Sequence, residues 1–145
     1  MNGAILSLHH MGVAVADLAQ GIPFYEKAFG MELLAPPVED PIQKVKVCFL
    51  ALKGGDTFVE LISPLNATSP IARFLEKGIG AYHLCYRVRG LDEVLQSVRS
   101  QGCIPIGEPV PAAAFGGRRI AWCCTPTKHL VEFVEAEEEP LRPGS

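Results

Sequence analysis

The chain has 145 residues, 48% of them hydrophobic and 20% charged, with a formal net charge of −3. That length suits one domain with a sizeable core, and the mild negative balance offers no basic footprint for nucleic acid. No apolar run approaches the ~18 residues of a membrane span, Asp17 and Lys27 interrupt the N-terminal third, and the first residues lack the basic-then-apolar pattern of a secretory signal.

A cytoplasmic protein with neither membrane nor nucleic-acid partners is therefore expected. The five cysteines (Cys48, Cys85, Cys103, Cys123 and Cys124) are odd in number and follow no C-x-x-C spacing. They read as reduced thiols, small and apolar, rather than as a disulfide or zinc framework.

Residues 8–15 alternate as a strand does. Asp17 then stands as a helix N-cap with Gln20 three residues on, and Leu18, Ile22, Tyr25 and Phe29 recur at helical spacing up to a stop at Gly30. Pro23 deletes a helical hydrogen bond, which predicts an irregular first turn. Strands follow over 31–35, 44–52 and 56–63, with Gly54-Gly55 turning the last pair. Residues 64–81 form a joint, in which Ser69-Pro70 opens a short helix. The same order then recurs: a strand over 82–88, a helix with Leu91, Val94, Leu95 and Val98 on one face and its stop at Gly102, and strands near 103–106, 118–124 and 129–135. Gly116-Gly117 marks a turn, and Phe115 beside it is either a lip over a site or part of that turn. Tyr86 and Trp122 read as core.

The expected architecture is thus α+β. Two βαβββ modules, 7–63 and 82–136, form one domain over residues 1–136 with a strongly curved eight-stranded sheet, the helices outside and a flexible tail at 137–145. The repeat carries chemistry. His10 and Glu60 in the first module recur as His83 and Glu132 in the second, at steps of 73 and 72 residues. Each Glu interrupts an apolar strand, where an unpaired carboxylate costs several kcal/mol and so pairs, neutralises or binds a metal. Two His and two Glu at matching places predict one divalent ion, Co, Ni, Mn or Zn, held between the modules. Strict period-two alternation places His10, Gly12 and Ala14 on the cleft face, and His9, Met11, Val13 and Val15 on the opposite face under the first helix.

HHMGVAVADL followed by FYEKAFGMEL resembles the first module of the vicinal oxygen chelate superfamily, which includes glyoxalase I, extradiol dioxygenases, antibiotic-resistance proteins and methylmalonyl-CoA epimerases. VELISPLNATSPIARFLEKGIGAYHLCYRV is most similar to the epimerases. The resemblance covers residues 7–136 and implies metal ligands at His10, Glu60, His83 and Glu132. It also implies a homodimer and a thioester substrate. Three positions depart from the epimerase pattern. Tyr82 precedes His83 where a second His is common, Thr125-Pro126-Thr127 replaces a His-Pro-Lys motif, and Val47 stands where some bacterial epimerases carry a base.

A metal-dependent epimerase or isomerase acting by α-proton abstraction on an acyl-CoA such as methylmalonyl-CoA is what this resemblance implies. Glu132 and Glu60 are then the candidate bases. The alternatives are a glyoxalase I-like lyase and a metal-free protein that sequesters an antibiotic or other small molecule, which would not need the four ligands. An extradiol dioxygenase fits less well, because Glu60 would fill a position that chemistry keeps open. Lys44, Lys46, Arg118 and Arg119 are the cations available to a CoA tail, with solvated strand-edge charges as the plainer role for each.

Overall fold

Asp17 starts the first helix through its side chain, which accepts from the Ala19 N–H at 2.9 Å, and Gly30 ends it in the left-handed region at φ 68°. The computed structural model describes residues 3–78 and 82–137; residues 138–145 of the expected tail and 79–81 of the joint lie outside them. The elements are β1 (Ala4–Ala14), α1 (Leu18–Phe29), β2 (Glu32–Leu33), β3 (Val38–Asp40), β4 (Val45–Ala51), β5 (Phe58–Pro64), α2 (Pro70–Glu76), β6 (Tyr82–Arg89), α3 (Leu91–Ser100), β7 (Ile104–Pro111), β8 (Arg119–Cys124) and β9 (Leu130–Glu135). Pro23 lies within α1 without breaking it. The irregularity is confined to the first turn, where the Asp17 carbonyl accepts from both Gln20 (3.3 Å) and Gly21 (3.0 Å).

The strands form one open curved sheet in the order β2-β4-β5-β1-β6-β9-β8-β7. Among the described residues it has nine strands, not eight, because β3 adds to β4 off that path. Three residues after Pro36-Pro37 are too few for an alternation to register in the sequence. What creates β3 is pairing, Val38 with Val47 and Asp40 with Val45. The buried Asp40 carboxylate secures the turn that follows, accepting from the backbone of Ile42 and Gln43 at 3.1 Å each.

Period-two alternation divides the core into two sides. On the outer face Leu18, Ile22 and Tyr25 of α1 pack over Cys48, Leu50 and Leu61, while Leu91 and Val94 of α3 cover Ala121, Cys123, Val131 and Phe133. Leu50 and Leu61 are fully buried, each worth about 1.5–3 kcal/mol of transfer free energy. The inner face carries Val45, Val47, Phe49, Phe58 and Ile62 from the first half and Cys85, Phe115, Ile120 and Val134 from the second. All five thiols are free; Cys48, Cys85 and Cys123 are buried, and burial, with the nearby Glu60 charge, pushes the Cys48 thiol up to about 12.

Gly90 precedes α3 and has no side chain to cap it. Glu135, from β9, supplies the missing acceptor to the Leu91 N–H at 2.8 Å and also pairs with Arg119 at 3.2 Å. The Arg119 guanidinium, with the Leu91 N–H, holds the Glu135 carboxyl below its usual 4.5 against the opposing effect of burial. A depressed folded value stabilises the fold above the unfolded value and is lost as pH falls through the folded one. Glu135→Gln should therefore cost about 0.5–1 kcal/mol at neutral pH, a modest figure because the pair is partly exposed. Urea unfolding of variant and parent should give converging stabilities as pH is taken below 4.5.

Candidate metal centre

The four repeated residues lie on four adjacent strands, β5, β1, β6 and β9, at the middle of the sheet. Register explains how they meet. Gly12 pairs in parallel with Glu60 on one side and antiparallel with His83 on the other, while Cys85 pairs with Glu132 and with His10. Gly12 and Cys85 are equivalent under the repeat, so the β1–β6 seam is a local twofold. The side chains of His10, Glu60, His83 and Glu132 converge beside it.

His10 Nε2 and His83 Nε2 are 3.1 Å apart. Glu60 Oε1 lies 3.4 Å from the first and 3.5 Å from the second, and Glu132 Oε1 lies 3.3 and 3.2 Å from them. All four ligand atoms fall within 4.8 Å of one another, and all four residues are buried. Metal–ligand bonds of ~2.0–2.2 Å give ligand–ligand edges of roughly 3.0–3.5 Å, so this set is compatible with one ion. Glu132 Oε1 points the same way: it is buried, and although it lies 3.3 and 3.2 Å from the two imidazole nitrogens it makes no well-aligned hydrogen bond to either. Buried polar atoms are rarely left so, and an ion-filled site is a standard reason. Burial alone drives the Glu132 carboxyl upward, but the facing His10 and His83 imidazoles more than reverse this and hold it well below the usual carboxylate range. The donor set of two imidazoles and two carboxylates fits a borderline divalent ion.

Gly12 is what lets His83 reach the centre. A Cβ added there would clash with the His83 ring, against Cε1 and Nδ1 and 2.8 Å from Nε2.

The expectation for His9 is corrected by the backbone. The β1–β6 register shifts between Leu8 and His10, and this bulge turns His9 to the same side as His10. His9 packs there against Phe58, Phe115 and Phe49 at ring-centroid distances of 5.0, 5.3 and 6.2 Å, not under α1. Beyond the bulge the alternation holds, with Val13 and Val15 against the first helix. Phe115 is likewise no lip. It is buried in a 3-10 turn, Ala113–Phe115, and its ring lies stacked 6.0 Å from His10.

A cavity of about 350 Å³ opens over the centre, lined by Glu60, His83, Glu132, Lys44, Val47, Ile62, Phe74, Trp122 and Leu130 among others. That is the size of a small-molecule pocket. Of the four basic candidates, Lys44 borders it. Arg119 is engaged with Glu135 and Asp92, Arg118 donates to the Phe115 carbonyl at 2.7 Å, and Lys46 stands opposite Glu39 across the β3–β4 hairpin. Trp122, expected as core, does pack against the inner core and is also a cleft wall. Its ring stands edge-on to His83 at 4.7 Å, and its Nε1–H donates to Gln43 Oε1 at 3.2 Å. Gln43 in turn donates to Asp40 at 2.8 Å, and Asp40 accepts from Ala113 N of the other half at 3.3 Å. The usable sequence signal for Trp122 is its repeat equivalence to Phe49, which flanks His10 at 5.2 Å.

Residues 9–122 match the Glyoxalase/Bleomycin resistance protein/Dioxygenase superfamily. The chain belongs to this superfamily. An uncharacterized protein of Bacillus subtilis is 34% identical to this superfamily member over 116 residues, 79% of this chain and 80% of that protein. The ethylmalonyl-CoA/methylmalonyl-CoA epimerase of Cereibacter sphaeroides is 33% identical over 115 residues, 78% of this chain and 84% of that one. Among solved structures, methylmalonyl-CoA epimerase from Mycobacterium tuberculosis superposes with a TM-score of 0.79 at 31% identity, covering 93% of this chain and 91% of its own.

Proposed function

We propose that the protein is a metal-dependent epimerase that inverts a malonyl-type acyl-CoA by removing and returning its α-proton. The observation that carries this reading is the convergence of His10, Glu60, His83 and Glu132, two from each half of the chain, with Glu60, His83 and Glu132 lining the cleft and His10 buried behind them. Similarity to ethylmalonyl-CoA/methylmalonyl-CoA epimerase supplies the substrate class. A divalent ion held by these four residues would polarise the two carbonyl oxygens of a 1,3-dicarbonyl and make the carbon between them acidic. Glu60 and Glu132 bring two carboxylates to the reacting carbon from opposite halves. One, ionised, takes the α-proton onto its oxygen, and the other, carrying a proton at the start of the turnover, delivers it to the opposite face, which inverts the centre and exchanges the two protonation states. The wall beside them presents Val47, which can hold no proton, so these two glutamates carry the work. Val47, Ile62 and Leu130 keep water from the reacting carbon, and Lys44 is placed at the cleft to meet the phosphates of a CoA tail.

Metal analysis of the purified protein and deuterium exchange of methylmalonyl-CoA followed by NMR test the reading together. The wild type should carry about one divalent ion per chain and exchange the α-proton. His83→Ala should lose most of the ion and the exchange with it, while circular dichroism stays native. Turnover of a glutathione hemithioacetal without thioester exchange would move the protein to a lyase. A metal-free protein silent in both assays would point to small-molecule sequestration.

A further inference from the structure

The bulge that brings His9 inward places its Nδ1 2.8 Å from His10 Nδ1. Both rings are buried, His10 completely, and three phenylalanine rings hold His9 in place. A single proton must lie between the two Nδ1 atoms. His10 Nε2 faces Glu60, Glu132 and His83, so a neutral His10 that offers the Nε2 lone pair to an ion must carry its proton on Nδ1. His10 then donates and His9 accepts. Resting on the metal-site reading above, we infer that His9 is a positioning residue for the metal centre, fixing the tautomer and ring orientation of His10. It fills the place that a carboxylate or carbonyl oxygen usually takes behind a metal-bound imidazole. The arrangement is one-sided, since the repeat puts Tyr82, not a histidine, at the equivalent place before His83.

Two substitutions separate the hydrogen bond from packing. His9→Leu keeps an apolar filling but removes the acceptor, whereas His9→Asn can set Oδ1 near the position of Nδ1 and still accept. Titrating metal-stripped protein with Co²⁺, read from the visible ligand-field bands, should show His9→Leu binding about 10–100-fold more weakly than wild type. His9→Asn should recover most of that loss. In Zn²⁺-loaded wild type, ¹⁵N-edited NMR should find the His10 proton on Nδ1. Equal Co²⁺ affinity of wild type and His9→Leu would overturn the assignment. So would His9→Asn as weak as His9→Leu when both have native circular dichroism, or a His10 proton on Nε2. Wild type that binds no Co²⁺ at all would instead bring down the metal-site reading, and this assignment with it.

Discussion

Glu132→Gln should abolish most α-proton exchange, by about 10²–10⁴-fold, while leaving a measurable fraction of the metal in place. An amide oxygen can still ligate, but an amide cannot take up a proton near neutral pH. The wild-type carboxylate can take up that proton, and this is the property the variant removes. Glu60→Gln is the informative partner. If Glu60 serves chiefly as a ligand, that variant should hold its ion and keep substantial exchange. If both glutamates act as bases, one on each face, each single variant should lose inversion, and one of them should still wash deuterium into retained substrate. Following chirality and isotope content in the same reaction distinguishes the two outcomes.

Gly12→Ala should be nearly as damaging without replacing any of the four residues. Its new Cβ would clash with the His83 imidazole, so either the ring swings away or β1 and β6 separate. A displacement of about 1 Å at a reacting centre costs on the order of 100-fold in rate, and forcing a methyl into a packed site typically costs about 1–3 kcal/mol in stability. The variant should therefore bind metal weakly and melt earlier than the parent, and Gly12→Val should do both more severely. Cys85→Ala is the matched comparison at the equivalent position of the repeat. It takes atoms away from beside His10 rather than adding them, and should be the milder change by metal titration and by thermal unfolding.

Much of the site is legible in the amino-acid sequence because buried carboxylates are costly. A Glu within FVELI and another within HLVEFV need a reason, and their recurrence with two histidines supplies it. The four residues do converge, and α1, α2 and α3 start close to where Asp17, Ser69-Pro70 and Leu91 indicate. The features that local patterns miss are decided by contacts between distant segments. The bulge at His9 is set by how β1 registers on β6, some 75 residues away, and no local alternation encodes it. Strand β3 exists through its pairing with β4. Trp122 packs on the core as its sequence suggests, but its second role as cleft wall depends on Gln43, which is held by Asp40 and accepts from the indole N–H. Phe115 is ambiguous in the sequence for the same reason, since only the docking of the second half against His10 buries it.

The β1–β6 seam has a consequence for assembly. Its pairings, Gly12 with His83 and Cys85 with His10, join two halves whose only covalent connection is the joint after β5. A pair of chains that exchanged their second halves would preserve every one of those pairings. Each composite unit would hold His10 and Glu60 from one chain with His83 and Glu132 from the other. Such an exchange would leave the contacts among these four residues in place. A full complement of bound metal is thus compatible with a monomer and with a swapped dimer alike. Mixing His10→Ala chains with His83→Ala chains separates them: swapped dimers would regain intact centres, and monomers would not.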